Sequence, residues 1–192
     1  MASGAGLALA RTAQGAGFEP LTLLSAIAAR TDAHIVTQVR NRDAFLRAGK
    51  VEGRDFTAID TERLEKPLWA VAQRMSLGSK GGWTTLAAMT ALTYPYFERL
   101  VWKAFGSRIR SGEFDVVHRI TPVSPTAVGP LAQRVHAAGV PFILGPINGG
   151  VPWPRGFDAE RRREREWLSY VRGAYRLNPQ RRRTLAAAIS EA

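Results

Sequence analysis

Cysteine is absent from this chain, which excludes disulfides and cysteine-ligated zinc or iron–sulfur centres and permits a reducing compartment. Histidine is scarce. His34, His118 and His136 are the full set, and they show no metal-ligand spacing with one another. Long apolar runs are missing too, for none approaches the roughly 20 residues needed to span a bilayer. The N-terminal stretch MASGAGLALARTAQGAG lacks a basic region followed by a long apolar one, so it does not read as a signal peptide. Neither an internal repeat nor a Ser/Gly linker divides the chain.

Acidic residues are in short supply. Sixteen Asp and Glu face 27 Lys and Arg, leaving a net charge of +11 and a pI near 11.1. That balance points to an anionic partner: nucleic acid, a phosphorylated ligand or an anionic lipid surface. The plain alternative is an arginine-preferring composition with solubility as its only consequence. The excess is uneven. Between Arg155 and Arg183 stand ten arginines against Asp158, Glu160, Glu164 and Glu166, an excess of six.

What is present suits one α/β domain. The chain has 192 residues, 45% of them apolar, enough for a sizeable core. AGLALA at 5–10 is a weak strand, followed by a loop broken at Gly15 and Gly17. Leu23, Leu24, Ile27 and Ala28 mark one apolar face of a helix over Leu21–Arg30. Strands are expected over Asp32–Val39 and Asp55–Asp60, with a short helix over Asp43–Gly49 between them. Residues 67–112 read as mostly helical, with Pro67 in a first turn, a break at Leu77–Gly82, and Pro95 kinking or splitting the second part. Phe114–Ile120 is a strand, Thr126–Ala138 a helix and Val140–Leu144 a strand. A charged helix over 158–176 follows. Alternating strands and helices imply a mostly parallel, Rossmann-like sheet flanked by helices. The expected division is a domain at 1–157 and a helical extension at 158–192.

In such sheets ligands bind beyond the C-terminal strand ends. Three segments fall there: Gly15, Gly17 and Glu19 after the first strand, His118 and Arg119 at the end of FDVVHRI, and Gly145–Gly150 after VPFIL. Glycines at these places let backbone N–H groups approach a phosphate or sugar. Each signal alone is weak. Gly4-Ala5-Gly6 and Gly15-Ala16-Gly17 lack the third glycine of a dinucleotide fingerprint, and GSKGG around Lys80 lacks Walker A spacing. His34 and His136 read as structural or solvated.

The combination is more specific. FDVVHRITPVSP, then VPFILGPINGGVPWPRGF, then a charged helix and LNPQRRRTLAAA, resembles glycosyltransferase family 4. GAGFEP is similar to the family's GSEP loop, and TQVRNRDAF to its TR..NR segment. The resemblance covers residues 15–188. Two positions depart from it: Asn148 stands in place of a glycine, and GLALA is a poor first strand. The resemblance implies a GT-B architecture, in which this chain is the N-terminal, acceptor-side half of an enzyme that moves a sugar from a nucleotide-sugar donor to a hydroxyl. The acceptor that the resemblance implies is a glycan or a lipid-linked molecule.

By the same resemblance His118 lies near the transferred sugar. Gly15, Gly17, Glu19, Arg119, Gly145, Asn148, Gly149 and Gly150 line the cleft, with no metal and no cofactor beyond the donor substrate. The donor half's E-x7-E pair is missing, and Glu164/Glu166 at i,i+2 cannot replace it. The expectation is therefore an incomplete enzyme, inactive alone, with a separate donor-binding domain as partner. It is expected to be cytoplasmic and peripheral at the inner membrane. The alternative is a non-catalytic basic protein binding nucleic acid or an anionic membrane. No RRM, KH or helix-turn-helix signature supports nucleic acid, and none is expected as partner. The excess charge of the C-terminal third, together with Trp153, Trp167 and Tyr170, suits an anionic bilayer.

Overall fold

A computed structural model of the chain describes residues 5–10, 24, 26–75, 83–121 and 129–145, with Gly156 and Pro179 as single positions. Its strands are β1 (Ala5–Ala10), β2 (Asp32–Gln38), β3 (Phe56–Ile59), β4 (Val116–Thr121) and β5 (Phe142–Leu144). Its helices are α1 (Arg42–Arg47), α2 (Glu62–Met75), α3 (Trp83–Arg110) and α4 (Leu131–Ala137), and a 3-10 turn at Val39–Asn41 precedes α1. Residues 24 and 26–28 are helical as well.

The five strands form one sheet in the order β3-β2-β1-β4-β5, and every pairing is parallel. The weak first strand therefore sits at the centre. Its small residues suit that place, since Leu7 and Leu9 fill one face and Ala8 the other, all buried. Parallel strands need crossover helices, and these cover both faces. On one face Tyr94, Phe97, Val101, Phe105 and Ile109 of α3, with Leu131 and Val135 of α4, close over Leu7, Leu9, Val36, Val117 and Phe142. On the other, Leu24, Ile27 and Phe45 cover Ala8, Ile35, Phe56 and Ile120. The fold is a Rossmann-like α/β sheet with helices on both sides.

Local physics moved several boundaries. Pro67 is not in a first turn. The helix begins at Glu62, because Asp60 Oδ1 accepts the Glu62 N–H at 2.8 Å and the Thr61 carbonyl accepts those of Leu64 and Glu65. Pro95 does not split the long helix, which runs unbroken from Trp83 to Arg110. A mid-helix proline costs about 3 kcal/mol, and burial of Tyr94, Phe97 and Val101 around it offsets that loss. The helix expected from Thr126 starts at Leu131, after Gly129-Pro130. Strand β4 runs on to Thr121, because the β-branched Ile120 and Thr121 are buried and continue the ladder. Position 157 and the helix over 158–176 lie outside the described residues.

Among the described residues no helix is long and apolar enough to cross a membrane.

Candidate functional site

The strand order reverses direction at β1 and β4. The connection after β1 leads to β2 on one side, while β4 leads to β5 on the other. Where successive crossovers diverge, the C-terminal strand ends open a crevice, the usual ligand position in such sheets. The candidate site is therefore the edge beyond Ala10 and Thr121. Gly15, Gly17 and Glu19 in the connection after β1, and Asn148, Gly149 and Gly150 after β5, lie outside the described residues. His118, Arg119 and Gly145 are described, and the sheet brings them together.

His118 is the third residue of β4, level with Ala8 and Ile143 rather than at the strand end. Its half-buried ring reaches Gly145, the first residue of the Gly-rich loop, with Nε2 at 2.8 Å from the carbonyl oxygen. A carbonyl can only accept, so Nε2 carries the hydrogen. In the neutral ring this leaves Nδ1 as the basic atom. Gly145 is held from the other side as well, since its N–H donates to the Arg119 carbonyl at 3.0 Å. Its φ of 150° lies in the region that side chains avoid. Two bonds and a glycine-only conformation fix how the loop leaves the sheet.

Arg119 points the opposite way from His118, as alternation along a strand requires. It is 1% exposed and lies under the α3 layer. There its guanidinium sits over the Tyr94 ring, 5.1 Å from the centroid, with Nη1 3.6 Å from Glu98 Oε1. The sequence placed Arg119 beside a ligand; the structure places its head in the core.

Glu98, equally buried, accepts the Leu131 N–H at 2.9 Å through Oε2 and so ties α3 to the start of α4. Burial pushes its carboxyl above the usual range, against the pull of Arg119 and the Leu131 N–H. Gly129 passes so close that a Cβ there would stand 2.0 Å from Glu98 Oε2. Glu98, Tyr94 and Gly129 thus brace the two ends of the connection after β4, and none was singled out from sequence. The legible signal was a carboxylate at i+4 from Tyr94, inside the stripe that α3 buries.

A second polar cluster sits at the ends of β2 and β3. Buried Gln38 donates from Nε2 to Thr61 Oγ1 at 2.7 Å and to Glu65 Oε2 at 2.6 Å. Arg40 closes over it, 2.5 Å from Glu62 and 3.7 Å from Glu65. On the opposite face Asn41 Nδ2 donates to Thr37 Oγ1 at 2.9 Å.

His34 is structural. Its Nδ1–H donates to the Arg54 carbonyl at 3.1 Å, its Nε2 lies 2.9 Å from Thr57 Oγ1, and burial lowers its pKa. His136 is exposed on α4. Among the described residues no group of three or more His, Cys, Asp or Glu could hold a metal ion.

No family model matches the chain, and no solved structure matches it. Over 85 residues it is 31% identical to D-lysergyl-peptide-synthetase subunit 3 of Claviceps purpurea (strain 20.1) and 29% identical to the protein of that name from Claviceps purpurea. Each match covers 38% of this chain and 5% of the relative. A likeness to so small a share of a long protein carries no activity over to this one.

Proposed function

We propose that this chain forms the acceptor-side domain of a glycosyltransferase that moves a sugar from a nucleotide-sugar donor to the hydroxyl of a glycan or lipid-linked acceptor. The observation that carries the reading is the clamp between His118 and Gly145 beside the switch point. It joins a histidine in β4 to the first residue of a Gly-rich loop, in the order that the family 4 resemblance implies. His118 would hold that loop through Nε2–H and turn Nδ1 toward the transferred sugar or the attacking hydroxyl. Backbone N–H groups of the loop would stabilise negative charge on the leaving diphosphate. Arg119 takes no part in binding in this reading; with Glu98 it keeps β4 and the following connection in place.

Donor recognition requires a second domain, because none of the ten glutamates stands eight residues from another, as E-x7-E demands. The 192 residues alone are expected to give no robust product with common nucleotide sugars. They are expected to bind acceptor sugars on a glycan array, and His118→Ala should abolish that binding while the far-UV spectrum and melting temperature hold. Robust turnover by the chain alone would overturn the half-enzyme reading. Absence of any sugar binding, or binding indifferent to His118, would overturn the acceptor-side reading.

A further inference from the structure

Strand β4 falls out of step with its neighbour near its end. Leu9 of β1 stands level with Arg119, but the next residue, Ala10, stands level with Thr121. Strand β4 therefore carries one residue more than β1 there, Ile120. Such an extra residue interrupts the ladder and re-aims the side chains around it, and it is uncommon between parallel strands. On the β1 side the backbone ladder does not by itself fix where the end of β4 goes. Two side chains of α3, one turn apart on the same face, hold it instead. Tyr94 Oη donates to the Thr121 carbonyl at 3.4 Å, while the Arg119 guanidinium lies over the Tyr94 ring and beside Glu98 Oε1. Glu98 is held in turn, since its Oε2 accepts the Leu131 N–H at 2.9 Å and Gly129 passes against it.

We infer that Glu98 is a positioning residue for the candidate site, acting through Arg119 on the clamp between His118 and Gly145. The connection is short. Arg119 follows His118 in the chain, its carbonyl accepts the Gly145 N–H at 3.0 Å, and the Gly145 carbonyl accepts the His118 Nε2–H at 2.8 Å. One stretch of backbone thus carries the imidazole on one face of the sheet and the guanidinium on the other. Where the Arg119 head is held under α3, the Arg119 carbonyl is held too, and with it the glycine that fixes the His118 tautomer. Without Glu98 the buried guanidinium loses the carboxylate beside it and is driven toward water. The strand then yields at the extra residue, next to the clamp. A pair that only filled the core would leave the clamp intact once the core was refilled, whereas a positioning pair would not. This role depends on the geometry of the clamp and not on sugar as the ligand, so an empty glycan array would leave it standing.

The test is nitrogen NMR of the full 192-residue chain, labelled at histidine and held above the pH at which histidine protonates. A ring fixed as the Nε2–H tautomer gives two widely separated nitrogen signals, and exchange between tautomers draws them together. His118→Gln identifies the signals by their loss. The parent chain should show a fixed Nε2–H ring. Glu98→Ala should lower its tautomer preference about fivefold, the worth of one ordinary hydrogen bond, and Arg119→Met should do the same. Val101→Ala removes buried packing from the next turn of α3 and should leave the preference unchanged. The decisive variant is Glu98→Met with Arg119→Met, which removes both charges while keeping the core filled. Its melting temperature should recover toward that of the parent while the fivefold loss at His118 persists. If the His118 signals recover together with the melting temperature, the pair is structural only and the positioning role falls. An equal shift in Val101→Ala, or a ring that already exchanges between tautomers in the parent, overturns it as well.

Discussion

The two sides of the sheet keep their ion pairs at different depths. On the β2–β3 side, cations and carboxylates meet at the surface: Arg40 with Glu62, Arg42 with Glu52, Arg54 with Asp55, Lys66 with Glu62. On the β4–β5 side, one pair, Arg119 with Glu98, is buried at 1% exposure each, and at the surface of α3 Arg108 meets Glu113. Exposed pairs are screened by water and salt and contribute little. A buried pair is held by geometry, and losing one partner strands the other's charge in the core. The first side should therefore tolerate charge changes, while the second should fail when its one inward pair is broken.

The largest effect is expected inside. Glu98→Ala leaves the Arg119 guanidinium buried without its carboxylate and removes the acceptor for the Leu131 N–H. It should cost about 3–5 kcal/mol in urea unfolding. The double change Glu98→Met with Arg119→Met removes both charges and should recover most of that loss. If the double variant is as unstable as the single one, the pair is not the reason for the instability.

Next comes Gly129→Ala. Its methyl would stand 2.0 Å from Glu98 Oε2, so the carboxylate must move or the chain before α4 must shift. A cost of about 1–3 kcal/mol is expected from such crowding. In the Glu98→Ala background the same change should be almost free, a coupling that a double-mutant cycle measures directly.

The pH dependence sharpens the contrast further, because two carboxyls shift in opposite directions. Burial raises Glu98 in the folded state, so its contribution is fully present below the ordinary glutamate pKa and is lost as pH rises through the raised folded value. Asp55 is lowered to about 2, chiefly by the Arg54 hydrogen bond. Its contribution is present above the ordinary aspartate value and is lost as pH falls toward about 2. Glu98→Gln should therefore gain on the parent chain as pH rises above the ordinary glutamate range, by at most about 1.4 kcal/mol per pH unit. Asp55→Asn should close its gap to the parent only as the solution becomes strongly acidic. Parallel urea titrations across pH check both signs.

Much of this architecture is legible in the sequence. Every described strand coincides with an expected one to within two residues at either end, because β-branched runs such as AHIVTQ and VVHRIT announce buried parallel strands. Turn glycines marked the ends of α3 and α4, where Gly112 and Gly139 adopt φ near 75°. Prolines misled, since their local penalty was weighed without the burial that outvotes it at Pro95. The face of a strand residue was legible by alternation, but its depth was not. His118 and Arg119 are neighbours, yet one ring meets the loop and the other head meets α3, whose position no local pattern supplies. Glu98 was hidden for the same reason. Its partner lies 21 residues further along the chain, and only the packed sheet brings the two together.

The smallest effect belongs to the surface of the β2–β3 side. Arg40 is 44% exposed and pairs with Glu62 at 2.5 Å, with the buried Glu65 at 3.7 Å behind it. Removal of a half-exposed cation costs its screened attraction, but its entropy is regained. Arg40→Ala should lower stability by less than about 1 kcal/mol, and the difference should shrink further in high salt. Gln38 would still donate to Glu65 Oε2, so the inner bond that holds β2 to α2 survives the loss of the outer charge. Gln38→Leu breaks that inner bond instead and is expected to cost more, about 1–3 kcal/mol, because buried oxygens of Thr61 and Glu65 lose their donor. The order of the two variants is the sharpest reading of this side. If Arg40→Ala proves the worse, the exposed charge rather than the buried amide holds β2 to α2, and the contrast between the two sides of the sheet collapses.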